Sequence, residues 1–246
     1  MQIVRNIVTK EKSSIRQMGY DDALIVLVGL GNLLVDWEKL ADGFTQTQGM
    51  DIFVPDVIRR ESIGQSVEAL YRFIEVHKLS KYQRVHVFAY ILGGRILNQF
   101  LSMYTLPNLA SIVYDRSPIQ ELAPVLATKH YPRLARLIFG KIIHELARTS
   151  YQPCPVDDIP IGLIIEGKAT PIMCFFRRLE SHFPLLDWSG EAFQQPYGDL
   201  MYVPLNHNEM YWRFDVYIKQ LEYFYQSGNF GENARRIPFE DNPFEK

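Results

Sequence analysis

Short apolar runs rich in β-branched residues alternate with amphipathic stretches along most of this chain. Ala23 to Val28 is an unbroken apolar run and reads as a buried strand. Glu38 to Gln48 suits a helix, and Asp51 to Pro55 a second strand. From Ser62 to His77, Val67, Leu70, Tyr71 and Ile74 recur on one helical face, with Ser62 as the cap. Arg84 to Ala89 predicts a third strand, closed by Gly93 and Gly94, followed by a helix over Arg95 to Tyr104 and a fourth strand over Ala110 to Tyr114. Glu121 to Thr149 then breaks the rhythm with helical periodicity and no strand. Ile161 to Glu166 resumes as a fifth strand, Leu200 to Pro204 is a sixth, and Met210 to Gln226 predicts one long aromatic-rich closing helix.

Strands alternating with helices imply an α/β fold with a mostly parallel central sheet and helices on both faces. The stretch 117–150 reads as a helical cap or lid inserted over one end of the sheet, within a single domain spanning 1–230. Residues 231–246, rich in Gly, Asn, Pro and charge, read as an irregular tail pinned by Phe239 and Phe244.

The 246 residues are 47% hydrophobic and 22% charged, with a formal net charge of -2. That balance excludes an unfolded chain and supplies no long-range field toward nucleic acid or an acidic membrane. Cys154 and Cys174 form no disulfide framework and fit a reducing compartment. Met1 to Met18 shows no signal-peptide core. The longest apolar run, Ala23 to Val35, is interrupted by Gly29, Gly31 and Asn32, short of the roughly 20 residues of a membrane helix. The expectation is a cytoplasmic protein without a membrane span. His77, His86, His130, His144 and His182 show no metal-ligand spacing, and no cofactor or metal is expected. Gly29-Leu30-Gly31 could open a dinucleotide fingerprint, but Leu34 stands where the third small residue belongs.

Ligands of parallel sheets bind beyond the carboxyl ends of the strands. There the third strand runs into Ala89-Tyr90-Ile91-Leu92-Gly93-Gly94, with small residues two before and two after Ile91, the spacing that a nucleophile elbow requires. Ile91 has no lone pair to attack with, and its β-branch makes a strained turn costly.

Four segments in order resemble the lipase and esterase branch of the α/β-hydrolase superfamily. Leu27-Val28-Gly29-Leu30-Gly31 resembles the loop that helps form the oxyanion hole. Tyr90-Ile91-Leu92-Gly93-Gly94 resembles the elbow. Ile112 to Ser117 followed by Pro118 resembles a strand with its proline-containing loop, and Val203 to Met210 resembles the segment that carries the catalytic histidine. The resemblance spans roughly Ala23 to Phe230. It implies His207 as general base, and Leu30 and Leu92 as backbone donors to an oxyanion. Ile91 stands at the degenerate nucleophile position, and Val28 replaces the loop histidine. No aspartate follows the fifth strand in Gly167 to Pro171, so Asp187, in an aspartate-containing turn, is the candidate acid. Gly29, Tyr90 and Ser117 are further candidates for the ligand-binding region.

A triad acts as a unit, so losing its nucleophile removes efficient acyl transfer. One expectation is therefore a hydrolase relative that has lost serine-hydrolase activity and binds a small apolar or acyl ligand, or a protein partner. The alternative is an active esterase- or lipase-like hydrolase with a rearranged site built on His207 and Asp187. A third is an interaction protein whose cleft is filled. The stretch from His130 to Thr149 reads as a cap helix with a basic edge or as a lid with its apolar face over a pocket. The closing helix is a candidate homodimer face.

Overall fold

The computed structural model describes residues 13–30 and 36–245. Gly31, Asn32, Leu34 and most of the Met1 to Met18 segment, all weighed above, lie outside the described residues. The strands are β1 (Ser14–Arg16), β2 (Asp22–Leu27), β3 (Met50–Val54), β4 (Arg84–Ala89), β5 (Leu109–Arg116), β6 (Ile161–Glu166) and β7 (Asp199–Val203). They form one sheet in the order β1-β3-β2-β4-β5-β6-β7. All neighbours are parallel except β1, which runs antiparallel to β3. Nearly every side chain of β2, β3, β4 and β6 is buried. Such continuous apolar runs are what a sheet covered on both faces demands.

The helices are α1 (Trp37–Phe44), α2 (Ile63–Val76), α3 (Ile91–Met103), α4 (Ala123–His130), α5 (Pro132–Phe139), α6 (Ile142–Arg148), α7 (Pro171–Leu179) and α8 (Ile218–Ser227). Ser62 caps α2 as its position predicts, its Oγ accepting the Gln65 N–H at 3.1 Å. Helices α4 to α6 fill the interval between β5 and β6, so the stretch of unbroken helical periodicity is three short helices. Pro132 opens α5, where a missing N–H costs nothing, and Gly140, at φ +85°, ends it.

Three local expectations change. The long closing helix is broken: two 3₁₀ turns, Glu209–Tyr211 and Phe214–Val216, precede α8. The reason is the Met210 carbonyl, which accepts the hydroxyls of Tyr90 at 3.1 Å and Tyr217 at 2.7 Å in place of a helical N–H. Gly93 and Gly94 do not end a strand but lie in the first turn of α3, which begins at Ile91. A Cβ on Gly93 would stand 2.2 Å from the Leu27 carbonyl oxygen, so glycine permits the close approach of helix and strand. Strand β1 and helix α7 went unanticipated, the former because three residues with one apolar side chain carry no periodicity.

Past α8 the tail is irregular but anchored. The Arg235 carbonyl accepts the Tyr202 N–H of β7 at 2.8 Å, and Arg236 pairs with Asp199 at 2.8 Å. Phe239 packs on the main core, and Phe244 on a smaller cluster around Met173 and Phe176. Among the described residues, no helix is long and apolar enough to cross a membrane.

Candidate functional site

The carboxyl ends of β5, β6 and β7 converge on three buried ionisable side chains. Asp115 is the penultimate residue of β5, Glu166 ends β6, and His207 lies four residues past β7. His207 Nδ1 is 2.6 Å from Glu166 Oε1 and 3.6 Å from Asp115 Oδ2. Both carboxylates are wholly buried, and the imidazole is 7% exposed. Among the described residues, neither oxygen of Asp115, nor Glu166 Oε2, has a further hydrogen-bond partner.

Bare burial of two carboxylates is costly, so the cluster must hold protons. Burial disfavours the imidazolium, but the charges and hydrogen bonds of Glu166 and Asp115 outweigh it and push His207 up to about 10. Burial, then the Asp115 charge, raises Glu166 well above the usual carboxylate range, and burial raises Asp115 too. The three donor atoms lie within 4.8 Å of one another, and this is the one group of that kind among the described residues. One nitrogen and two carboxylates could also hold a divalent cation, a donor set invisible to the spacing of histidines along the chain.

The other ring nitrogen faces β2. A Cβ on Gly29 would sit 3.1 Å from His207 Nε2 and 2.8 Å from the Tyr211 hydroxyl, so any larger residue there would displace that hydroxyl. The Gly29 N–H donates to that hydroxyl at 2.8 Å. The Tyr211 ring stacks on Tyr90 at 4.2 Å between centroids, and Tyr90 in turn meets His207 edge-on at 6.1 Å. Burial raises the hydroxyls of Tyr90 and Tyr211 well above their ordinary value, so both stay protonated. Tyr211 thus fills the space between the β2 end and the start of α3.

Ile91 is the first residue of α3, and Tyr90 precedes it with φ −64° and ψ 162°. Among the described residues the positive-φ non-glycine ones are Lys78 and Gln194, so the backbone at Ile91 is unstrained. The junction between β4 and α3 thus lacks the strained outward turn that a nucleophile elbow requires. Leu92 follows in the first turn, where N–H groups lack helical partners, and Leu30 is partly buried against the core.

The structure does not bring Asp187 to His207. The Asp187 carboxylate accepts the N–H of Ser189, two residues on, at 2.8 Å, and the place beside His207 belongs to Glu166. Ser117 is buried, and its Oγ accepts the Gln120 N–H at 3.1 Å, which caps a turn. Next to Asp115, Arg116 is 1% exposed, lies 3.6 Å above the Tyr151 ring and pairs with Glu121 through 2.5 Å and 2.9 Å contacts. Glu166, Asp115 and Tyr211 escaped the reading of the sequence. The available signal was a lone acid at the end of each of two apolar strands, since such residues are almost never fully buried without a partner.

Two clefts of about 470 and 530 Å³ open elsewhere, the first beside α2 and the second beside α6. Neither is lined by Ile91, His207 or Glu166.

Neither protein-family models nor curated proteins match the sequence. Solved structures do match the fold. An α/β-hydrolase enzyme from the metagenome of lagoon sediments at Mar Chica, Morocco, aligns with a TM-score of 0.54 at 17% identity, over 88% of this chain and 95% of that one. The type II thioesterase of the borrelidin biosynthetic cluster gives a TM-score of 0.55 at 14% identity, over 88% and 95%. An esterase of Pyrococcus furiosus gives 0.50 at 14% identity, over 90% and 92%. With its parallel sheet, covering helices and a histidine–carboxylate pair at the strand ends, this chain has the α/β-hydrolase fold.

Proposed function

We propose that this protein uses the α/β-hydrolase fold without serine-hydrolase turnover, as a binding protein for a small apolar or acyl ligand or for a protein partner. The observation that carries the reading is Ile91, set at the first position of α3 on an unstrained backbone. A side chain without a lone pair cannot attack a carbonyl, and the relaxed junction holds no position poised for one that could. One further feature supports it: His207, holding its proton near neutral pH, is a poor general base.

The buried His207–Glu166 pair favours a second reading, an esterase- or lipase-like hydrolase with a rearranged site. The structural neighbours named above are hydrolases, and a histidine–acid pair is what such chemistry keeps. That reading requires a nucleophile other than Ile91 and a histidine able to accept a proton.

Short- and medium-chain nitrophenyl esters, assayed with wild type, His207→Ala and Ile91→Ser, decide between the two. The expected result is background hydrolysis by all three and no labelling by a serine-directed fluorophosphonate probe. Because the backbone at Ile91 is relaxed, Ile91→Ser is expected to gain nothing. Hydrolysis by wild type that His207→Ala abolishes would establish the second reading and end the first.

A further inference from the structure

The basic, apolar cap sequence divides in a way that periodicity alone does not show. The apolar residues of α6, Ile142, Ile143 and Leu146, are buried. In α5 only Ala135 is buried, and Leu134, Leu137 and Ile138 point outward, Leu134 52% and Leu137 74% exposed. With Tyr131 they form a stripe at positions i, i+3, i+6 and i+7, the apolar face of an amphipathic helix turned away from its own core.

The helix is not detached. Arg60 donates to the Leu137 carbonyl, and the Ile142 N–H donates to the Arg60 carbonyl at 3.0 Å, so the C-terminal end of α5 is fixed in place. A second outward stripe lies alongside. Helix α7 exposes Ile172, Phe175 and Leu179 while Met173 and Phe176 face inward. Tyr131 and Phe175 stack at 6.3 Å, and Glu180 holds both Lys129, at 2.6 Å, and His130, at 2.7 Å, so the two stripes form one surface.

Charge sets the character of that surface. Residues 125–141 and 171–180 carry Lys129, Arg133, Arg136, Lys141, Arg177 and Arg178 against the single carboxylate Glu180, in a chain whose formal net charge is -2. The near-neutral total conceals this asymmetry. Outward leucine, isoleucine and aromatic side chains bordered by arginine and lysine are the chemistry of an interfacial helix, which buries its apolar face at the acyl boundary and sets its cations among anionic headgroups. We propose that the α5–α7 face docks this protein on an anionic lipid surface. It lies flat there through Tyr131, Leu134, Leu137, Ile138 and Phe175, with Arg133 and Arg136 at the headgroups.

The test is co-sedimentation of the full chain with phosphatidylcholine vesicles, with and without phosphatidylserine, at low and high salt. Wild type is expected to bind the phosphatidylserine vesicles at least tenfold more tightly than the neutral ones, with binding weakened by salt. Arg133→Gln with Arg136→Gln should weaken it roughly thirtyfold, given the usual contribution of each cation near an anionic surface. Leu134→Ser with Leu137→Ser should weaken it at least as much, and both pairs are solvent-exposed replacements that leave the unfolding midpoint unchanged. Equal or undetectable binding to the two vesicle types would overturn the proposal. So would a concentration-dependent dimer in sedimentation velocity that the leucine pair dissolves, since a second copy would then be the occupant. None of these readouts depends on ester hydrolysis, so this proposal and the loss of turnover stand or fall separately.

Discussion

The His207–Glu166–Asp115 cluster makes stability depend on pH in a direction opposite to that of a surface carboxylate. In the unfolded chain near pH 7 the imidazole is neutral and both acids are ionised, so the three groups hold no proton. The folded cluster must hold at least one, because two wholly buried carboxylates cannot both stand uncompensated. Folding therefore takes up a proton, and stability must fall as protons become scarce. His207 rises from its ordinary 6.5 to about 10, so its contribution is fully present below 6.5 and is lost as pH climbs through 10. At about 1.4 kcal/mol per pH unit, the loss between neutral pH and that limit is roughly 4 kcal/mol. That is a large share of the ~5–15 kcal/mol that holds a domain together. The raised values of Glu166 and Asp115 act with the same sign and extend the fall to lower pH. Urea midpoints measured from pH 6 to above 10 at constant ionic strength should decline steadily through this window. Glu166→Gln removes one of the two charges that hold the proton on His207, and should move the decline to lower pH. Flat midpoints across the window, or a His207 ring signal titrating near 6.5 by NMR, would refute the reasoning.

Other perturbations have effects set by local geometry. Gly93→Ala places a Cβ against the Leu27 carbonyl oxygen and should cost at least about 1–3 kcal/mol in chemical denaturation, because backbone must move. Glu121→Ala leaves the nearly sealed Arg116 without its counter-charge and should cost roughly 3–5 kcal/mol by the same measurement, whereas breaking an exposed pair such as Arg213–Asp215 should leave the midpoint nearly unchanged. The Asp51 carboxylate accepts the N–H groups of Met18, Gly19 and Tyr20 and the Tyr82 hydroxyl. Asp51→Ala should therefore accelerate amide exchange at those three residues first, at a stability cost of about 2–4 kcal/mol.

Much of the sheet was legible because buried parallel strands leave unbroken apolar runs. Arg84 to Ala89 and Ile161 to Glu166 were read to the residue, and the other four anticipated strands lie within two residues of their observed ends. The site was harder to read because its parts are joined by strand order and not by spacing. Asp115 and Glu166 lie 51 positions apart but on adjacent strands. Searching the loop after Glu166 for an acid passed over the acid that ends the strand. Asp187 had the right residue type in a turn, yet a turn aspartate finds its own backbone first, as its bond to the Ser189 N–H shows. The broken closing helix failed for a related reason: helical periodicity does not reveal that the Met210 carbonyl is claimed by two phenols contributed from elsewhere in the fold. Ile91 was legible as a β-branched residue at the strand-to-helix turn, but the relaxed backbone beneath it was not.

The tail beyond α8 has a bearing on how copies of this protein behave toward one another. An open sheet has two borders, and each is a row of unsatisfied backbone groups that can recruit a neighbouring chain. On one side the border is β1, only three residues long. On the other, the Arg235 carbonyl takes the Tyr202 N–H, the Arg236–Asp199 pair clamps the strap, and Phe239 packs inside it. Solubility at that border is thus guarded by residues that belong to no helix or strand. A protease cut or frameshift near Gly231 would spare the sheet and both halves of the histidine–carboxylate pair while opening β7 to edge-to-edge growth. The damage would surface as turbidity, with the far-ultraviolet signature of the fold still in place.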